Sequence, residues 1–360
     1  MDAHRLQTVI ADELASRRSE LVAIDPRLAA MADLLIEFVV AGGKRLRPEF
    51  LWCGWVADPA ATNWADDEAL HLVGAALELI QACALIHDDV IDRSDSRRGR
   101  PSTHRAIAKD HAGAGLAGDP DHYGVSGAVL LGDLALAWAD DLYLAGAQAM
   151  AGVGRSAQVW RAMRTEVLGG QLLDLLTTAL AGADPLTQVS DAMRVNRFKT
   201  AAYTVERPLQ LGAELAGAPA GTVTALRAYG ADVGVAFQLR DDLLGVYGDP
   251  LITGKPAGDD LLEGKRTLLL ATARAALQGD PALLGELDDG IGRPAGDPVR
   301  LAAIIAGTGA VEVVEQQITE LLRSGLAALD AVDGAGAPVV SSIARERLAE
   351  LAHAATARRF

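Results

Sequence analysis

The spacing of proline constrains this chain most. Pro-free segments run from Pro59 to Pro101, Pro120 to Pro185, Pro219 to Pro250 and Pro298 to Pro338. Strands are typically about 5–6 residues long, far shorter than these segments. Within them apolar residues recur at intervals of three and four. Leu70, Val73, Leu77, Ile80 and Ala84 form one such stripe, and Val313, Ile318, Leu321, Leu322 and Leu326 form another. That is the period of a helix with one apolar face. No sustained period-two alternation bounded by hairpin turns occurs. The chain is therefore expected to be all-α, with roughly ten or more helices at the usual length of about 11–12 residues.

Half of the residues are hydrophobic but only 4% are aromatic, so the core must be packed mainly by Ala, Leu and Val. Gly and Ala inside the helical segments permit close helix approach. Two glycine-rich stretches, 112–127 and 289–298, are expected to be surface loops. Neither resembles a flexible linker, so one helical domain over residues 1–360 is expected. Met1 to Arg18 mixes charges among apolar residues and reads as a short amphipathic helix without a signal-peptide core. No uncharged apolar run approaches the ~20 residues that span a bilayer. Cys53 and Cys83 make no CxxC pair and no disulfide framework, which fits a reducing compartment. A soluble, cytoplasmic protein is the expectation.

The formal net charge is −15. A nucleic-acid groove needs a basic stripe, so that class of partner is excluded. An anionic substrate would need metal ions or local basic clusters to overcome the field of the whole molecule.

Asp-Asp pairs recur along the chain, and in so acidic a sequence each is by default a solvated face. Two stand in a different context. In ALIHDDVIDRSDSRRGRPSTH, residues 84–104, Asp88 and Asp92 are four apart on one helix face, with Asp89 beside them. They lie at the end of an apolar helix, where the macrodipole is already negative. A bound cation would relieve that repulsion, and hard carboxylate oxygens suit Mg²⁺, which completes its shell with water and substrate phosphates. Arg97 and Arg98 follow at a Gly99 turn. Carboxylates beside an arginine pair describe a site for a metal-bound diphosphate. In the second context, Asp241 and Asp242 end another apolar stretch, and Lys255 and Lys265 follow among glycines. A third cluster, GGKRLRP at 42–48, concentrates Lys44, Arg45 and Arg47 just after two glycines that can end a helix.

With these motifs in order, the chain resembles the trans-isoprenyl diphosphate synthases, the polyprenyl synthetase family, from about residue 35 to the end. The resemblance rests on GGKRLRP, LIHDDVIDxSxxRRGRPSTH, FKT at 198–200, FQLRDD, and GKPAGDD with GKRT. It implies the all-α isoprenoid synthase fold, with helices around a deep central cavity and the Asp clusters at its mouth. It also implies that Asp88, Asp89 and Asp92, with Asp241 and Asp242, hold Mg²⁺, three ions per site. Arg97, Lys199, Thr200, Gln238, Lys255 and Lys265 would then serve the allylic diphosphate. Lys44, Arg47 and Arg98, with Gln81, would serve isopentenyl diphosphate. Asp88, Asp89, Asp92, Lys199, Asp241 and Lys255 carry the chemistry in this reading, without a covalent role for His87 or His104. A homodimer is the family's usual assembly.

Two positions depart from the family pattern. Gln81 stands where many members have His, and it can donate a hydrogen bond but carry no charge. Gly245 replaces the last Asp of the second DDxxD. In the family, bulky aromatics four and five positions before the first Asp stop the chain near C15. Here those positions hold Ala84 and Cys83, with Ile80 a turn deeper (about 5.4 Å), so the resemblance implies geranylgeranyl diphosphate, C20. C25 and longer products, or C15, are the alternatives. A class I terpene cyclase lacks support, because no NSE-type triad occurs. A non-catalytic partner subunit or an acidic helical scaffold would not require the carboxylate and arginine motifs together.

Overall fold

The computed structural model describes residues 1–61, 68–150, 152–180, 184–249, 257–293 and 295–356. These are helical almost throughout, as the periodicity requires. In chain order come α1 (Ala3–Ile24), α2 (Ala29–Val40), α3 (Leu46–Trp55) and α4 (Glu68–Ile91). A short hairpin of β1 (Ser96–Arg97) and β2 (Arg100–Pro101) precedes α5 (Thr103–Gly113), α6 (Pro120–Gln148), α7 (Val153–Ala179) and α8 (Pro185–Val195). A π-helical segment, Asn196–Glu206, runs into α9 (Arg207–Ala216) and α10 (Ala220–Tyr247). The remainder is α11 (Asp259–Glu263), α12 (Leu268–Ala276), α13 (Pro281–Gly290), α14 (Pro298–Ala306), α15 (Ala310–Ala328) and α16 (Ser342–Thr356).

Asp-Pro pairs start several of these helices. Asp119, Asp184, Asp280 and Asp297 each accept a hydrogen bond from a first-turn amide, and the following proline opens the helix. The carboxylate satisfies an amide with no partner inside the helix, and proline has no such amide to satisfy. This corrects one expectation. Residues 120–127 are not loop but the first turns of α6, and the connection is confined to residues 114–119.

The chain forms two compact units. The first comprises Met1–Trp52, Thr62–Ser156 and Leu215–Gly217. Its axis is α4, with α6 laid along it, α1 and α2 against it, and α5 against α6. Helix α4 buries Val73, Ala76, Leu77 and Ile80. By length and composition it could cross a membrane, but Glu78 interrupts it and 78% of its apolar window is buried inside the fold. Glycines let α6 approach it. A Cβ at Gly146 would lie 2.5 Å from the Ala69 carbonyl oxygen, and one at Gly132 would collide with the His87 ring. His87 Nε2 lies 3.1 Å from the Val129 carbonyl oxygen. A carbonyl only accepts, so Nε2 carries the proton and Nδ1 faces the Cys83 thiol at 3.7 Å. Burial, with Asp133 nearby, pushes that thiol up to about 12, so it stays protonated.

The second unit comprises Cys53–Ala61, Ala157–Glu214 and Ala218–Phe360. Here α10 is central, and the π-helical segment, α15 and α16 pack on it. Leu239, Leu243, Leu270, Ile305 and Val314 belong to its core. Glu206, at the end of the π-helical segment, is buried and paired with Arg197 and Arg227. A buried carboxylate needs such compensation, and the pairs fix the segment's register.

Candidate active site

In the first unit, α2 ends and Gly42 turns the chain with φ +83. Such a left-handed residue is a common helix stop. Residues 43–45 then lead into α3, whose first turn carries the buried Arg47. The RRGR stretch makes a hairpin turn with Arg98 at φ +54 and Gly99 at φ +73. Two successive positive φ values are the geometry that matches strand twist in a tight hairpin. Arg98 pays for this as a non-glycine in the left-handed region. The turn aims its guanidinium at the first basic motif. Nη1 donates to the Gly42 carbonyl oxygen, and Nη2 would lie 3.1 Å from a Cβ at Gly43.

GGKR and RRGR, far apart in sequence, thus meet. Burial, then Arg97, Arg45 and Arg47, push the Arg98 pKa down, with Glu78 opposing. Concentrated, partly desolvated cations of one sign are favourable beside an anion. A small cleft opens there, lined by Phe38, Gly42, Glu78, Gln81, Leu85 and Arg98 among others. Gln81 therefore stands in the same cleft as Arg98. Arg45 also lines the cleft, and it donates to Glu78, to the Val39 carbonyl oxygen at 2.8 Å and to Gln7 at 3.2 Å. Lys44 is exposed.

Asp88 and Asp89 occupy the last turn of α4, and Asp92 lies one residue past it, its N–H bonded to the Asp88 carbonyl oxygen at 2.8 Å. Arg97 reaches both. Its Nε and Nη2 donate to Asp89 Oδ1 at 2.9 and 2.5 Å, and Nη2 lies 3.4 Å from Asp88 Oδ2. Asp89 is fully buried, so its charge is balanced by Arg97. Asp88 and Asp92 are half-buried and keep access to solvent. Of the chain-length candidates on α4, Ile80 and Cys83 are buried and Ala84 is half-buried.

In the second unit, Phe198, Lys199 and Thr200 lie on the π-helical segment, a form often found at functional sites. Lys199 Nζ donates to Asp174 Oδ2 of α7 at 2.6 Å. Gly170 makes that approach possible, because a Cβ there would meet the Lys199 backbone. Near the end of α10, Asp242 Oδ1 accepts from Gln238 Nε2 at 2.6 Å, and Oδ2 lies 3.5 Å from Asn196 Nδ2. Gln238 thus holds a carboxylate in this structure. Burial first, then the neighbouring Asp260, pushes Asp241 up from 3.8 to about 7. Asp242 is likewise pushed up to about 7 by burial, against the Gln238 hydrogen bond and with Asp260 and Asp241 adding repulsion. Lys265 Nζ lies 2.8 Å from both Asp260 Oδ1 and Glu263 Oε2. Burial works against its charge, but those carboxylates outweigh it and hold its pKa well above the ordinary value. Lys255 lies outside the described residues.

Among the described residues no three His, Cys, Asp or Glu side chains converge as a ready-made metal cage. Mg²⁺ takes one or two carboxylates and draws the rest of its shell from water and phosphate. The donors are hard oxygens, and Asp241 and Asp242, raised by burial first and by neighbouring carboxylates second, are groups whose charged form a divalent cation would favour. Asp174, Asn196 and Asp260 were missed in the sequence reading. A lone acid in GGQLLDLL was the available signal for Asp174, but its partner lies 25 residues away.

A family model described as Polyprenyl synthetase matches residues 28–308. A geranylfarnesyl diphosphate synthase of Aeropyrum pernix is 34% identical over 87% of this chain and 92% of its own. A geranylgeranyl diphosphate synthase of Mycobacterium tuberculosis is 34% identical over 72% of this chain and 69% of its own. Among solved structures, the geranylgeranyl pyrophosphate synthase of Corynebacterium glutamicum, complexed with isoprenyl diphosphate and magnesium, is 44% identical. It superposes with a TM-score of 0.91 over 100% of both chains.

Proposed function

Because the chain belongs to the polyprenyl synthetase family, we propose that it condenses isopentenyl diphosphate head-to-tail with an allylic diphosphate and stops chiefly at C20. The observation that carries the reading is the meeting of two basic motifs, 56 residues apart, where Arg98 bonds Gly42. Arg47, Arg98 and Gln81 hold isopentenyl diphosphate, with Lys44 at the rim. Arg97, fixed by Asp89, is the first unit's candidate for the allylic diphosphate; Lys199, fixed by Asp174, is the second unit's, with Thr200 and Lys265. Asp88 and Asp92 in the first unit, and Asp241 and Asp242 in the second, are the carboxylates that would hold Mg²⁺, which would supply neutralisation of charge on a departing diphosphate.

The allylic C–O bond breaks with its electron pair on the diphosphate. The isopentenyl double bond attacks the resulting allylic cation, and a proton then passes to the released diphosphate as a double bond is restored. No protein nucleophile takes part, and the buried, protonated Cys83 is unsuited to one. We place this chemistry in one domain of a cytoplasmic homodimer. The exposed Leu168, Leu172, Leu175 and Leu176 of α7 support self-association.

The 44% identical geranylgeranyl pyrophosphate synthase and the small Ala84 support the C20 product. C25 is the second reading, favoured by the geranylfarnesyl diphosphate synthase relative. Chromatography of products from isopentenyl diphosphate, each allylic primer and Mg²⁺ tests this, and a main product of C15 or none would contradict it. Ala84→Phe adds a ring about one helical turn (~5.4 Å) before Asp88 and should shorten the product toward C15. An unchanged product distribution would remove Ala84 from the channel. Arg47→Ala should raise KM for isopentenyl diphosphate by about tenfold or more, the scale of one lost charged hydrogen bond, and change KM for the primer little. Equal increases for both substrates would contradict a separate clamp.

A further inference from the structure

Helix α4 carries an acid in its apolar middle. Glu78 is buried, and its Oε2 accepts from Arg45 Nη1. The other oxygen, Oε1, is buried as well and has no hydrogen-bond partner among the described residues. A carboxylate placed this way costs stability unless a cation balances it. An aliphatic side chain would pack there without that cost, so Glu78 needs a reason beyond packing.

Arg45 supplies the reason. It lies between α2 and α3 with φ +50, a conformation that a non-glycine residue keeps only where its surroundings hold it. Here they hold it through the guanidinium. Nη1 reaches Glu78 of α4, and Nη2 reaches the Val39 carbonyl oxygen of α2 at 2.8 Å and Gln7 Oε1 of α1 at 3.2 Å. One side chain therefore ties three helices to the turn that carries Gly42 and Lys44 and leads to Arg47. Arg98 holds the same turn at the Gly42 carbonyl oxygen.

We propose that Glu78 is a positioning residue: through Arg45 it fixes the turn that presents Lys44 and Arg47 to isopentenyl diphosphate, without touching that substrate. The inference rests on the function proposed above. The sign of one effect separates it from simple proximity. Glu78 lines the same cleft as Gln81 and Arg98, and an anion beside a diphosphate repels it. If proximity alone mattered, removing the charge would tighten binding. As a brace, its removal loosens the turn and weakens binding.

The test is steady-state kinetics of the full chain with each substrate varied in turn. Glu78→Gln keeps the volume and an acceptor but removes the charge that holds Arg45. KM for isopentenyl diphosphate should rise about tenfold, the scale of one charged hydrogen bond, while kcat and KM for the allylic primer change little. A paired variant separates positioning from stability. Arg45→Met with Glu78→Leu removes both charges together, an exchange often neutral for stability, and should melt like the wild type. It should still show the raised KM for isopentenyl diphosphate, which loss of a merely stabilising ion pair would not produce. An unchanged or lowered KM for isopentenyl diphosphate in Glu78→Gln, an equal rise for both substrates, or a wild-type KM in the paired variant overturns the inference alone. A wild type whose turnover does not require isopentenyl diphosphate overturns the proposed function and this inference together.

Discussion

Asp88→Ala is expected to lower turnover by about 10²- to 10³-fold, the scale seen when one group stabilising developing negative charge is removed. The fold should persist. Asp88 is half-buried at the end of α4, and its contact with Arg97 is the longer one, at 3.4 Å against 2.5 Å for Asp89. Arg97 therefore stays on Asp89 when Asp88 is lost. Removing a carboxylate from the negative end of a helix is also mildly favourable. The variant should unfold at the wild-type urea midpoint or slightly above it, while kcat falls. Wild-type turnover at limiting Mg²⁺ would exclude Asp88 from the metal site. A collapse of stability would instead make it a structural residue.

Asp241→Asn should stabilise the metal-free protein at pH 8 while abolishing most turnover. The folded pKa of Asp241 lies at about 7, above its ordinary 3.8. The folded state thus binds this proton more tightly than the unfolded chain. The associated stability is fully present below about pH 4 and is lost as pH rises through about 7. A shift of this size corresponds to about 4 kcal/mol, and partial solvent access screens it to ~1–3 kcal/mol. Metal-free wild type should therefore lose stability between about pH 4 and 7, and Asp241→Asn should lose less. Mg²⁺ with pyrophosphate should restore the wild type more at pH 8 than at pH 6, because proton and cation compete for the same oxygens. Equal pH slopes for wild type and variant, measured by denaturant titration, would show that Asp241 is not the group responsible.

Much of this was legible in the sequence because the information is local. Helical periodicity marks α4 and α15, and the ordered motifs single out Asp88, Arg98, Lys199 and Asp241 as candidates. Helix starts were less well read. The carboxylate of Asp119 and the ring of Pro120 open α6, but the surrounding glycines suggested loop through residue 127. Partners were not legible at all. Nothing near Asp89 in sequence says that it is buried against Arg97, and nothing near Lys199 points to Asp174. These pairings depend on where packed helices bring side chains, and on glycines such as Gly170 that let backbones meet. Gly245 looked like a simple loss of a carboxylate, because the Asp260 side chain occupying its space comes from another helix.

The measurement closest to the central claim is diphosphate release by the purified chain, with isopentenyl diphosphate, an allylic diphosphate and Mg²⁺ each omitted in turn. A head-to-tail synthase releases diphosphate at an appreciable rate when all three are present, and loses that release when any one is withheld. Release from the allylic diphosphate and Mg²⁺ alone would mean a cyclase, and no release with all three present would mean a protein that binds diphosphates without joining them.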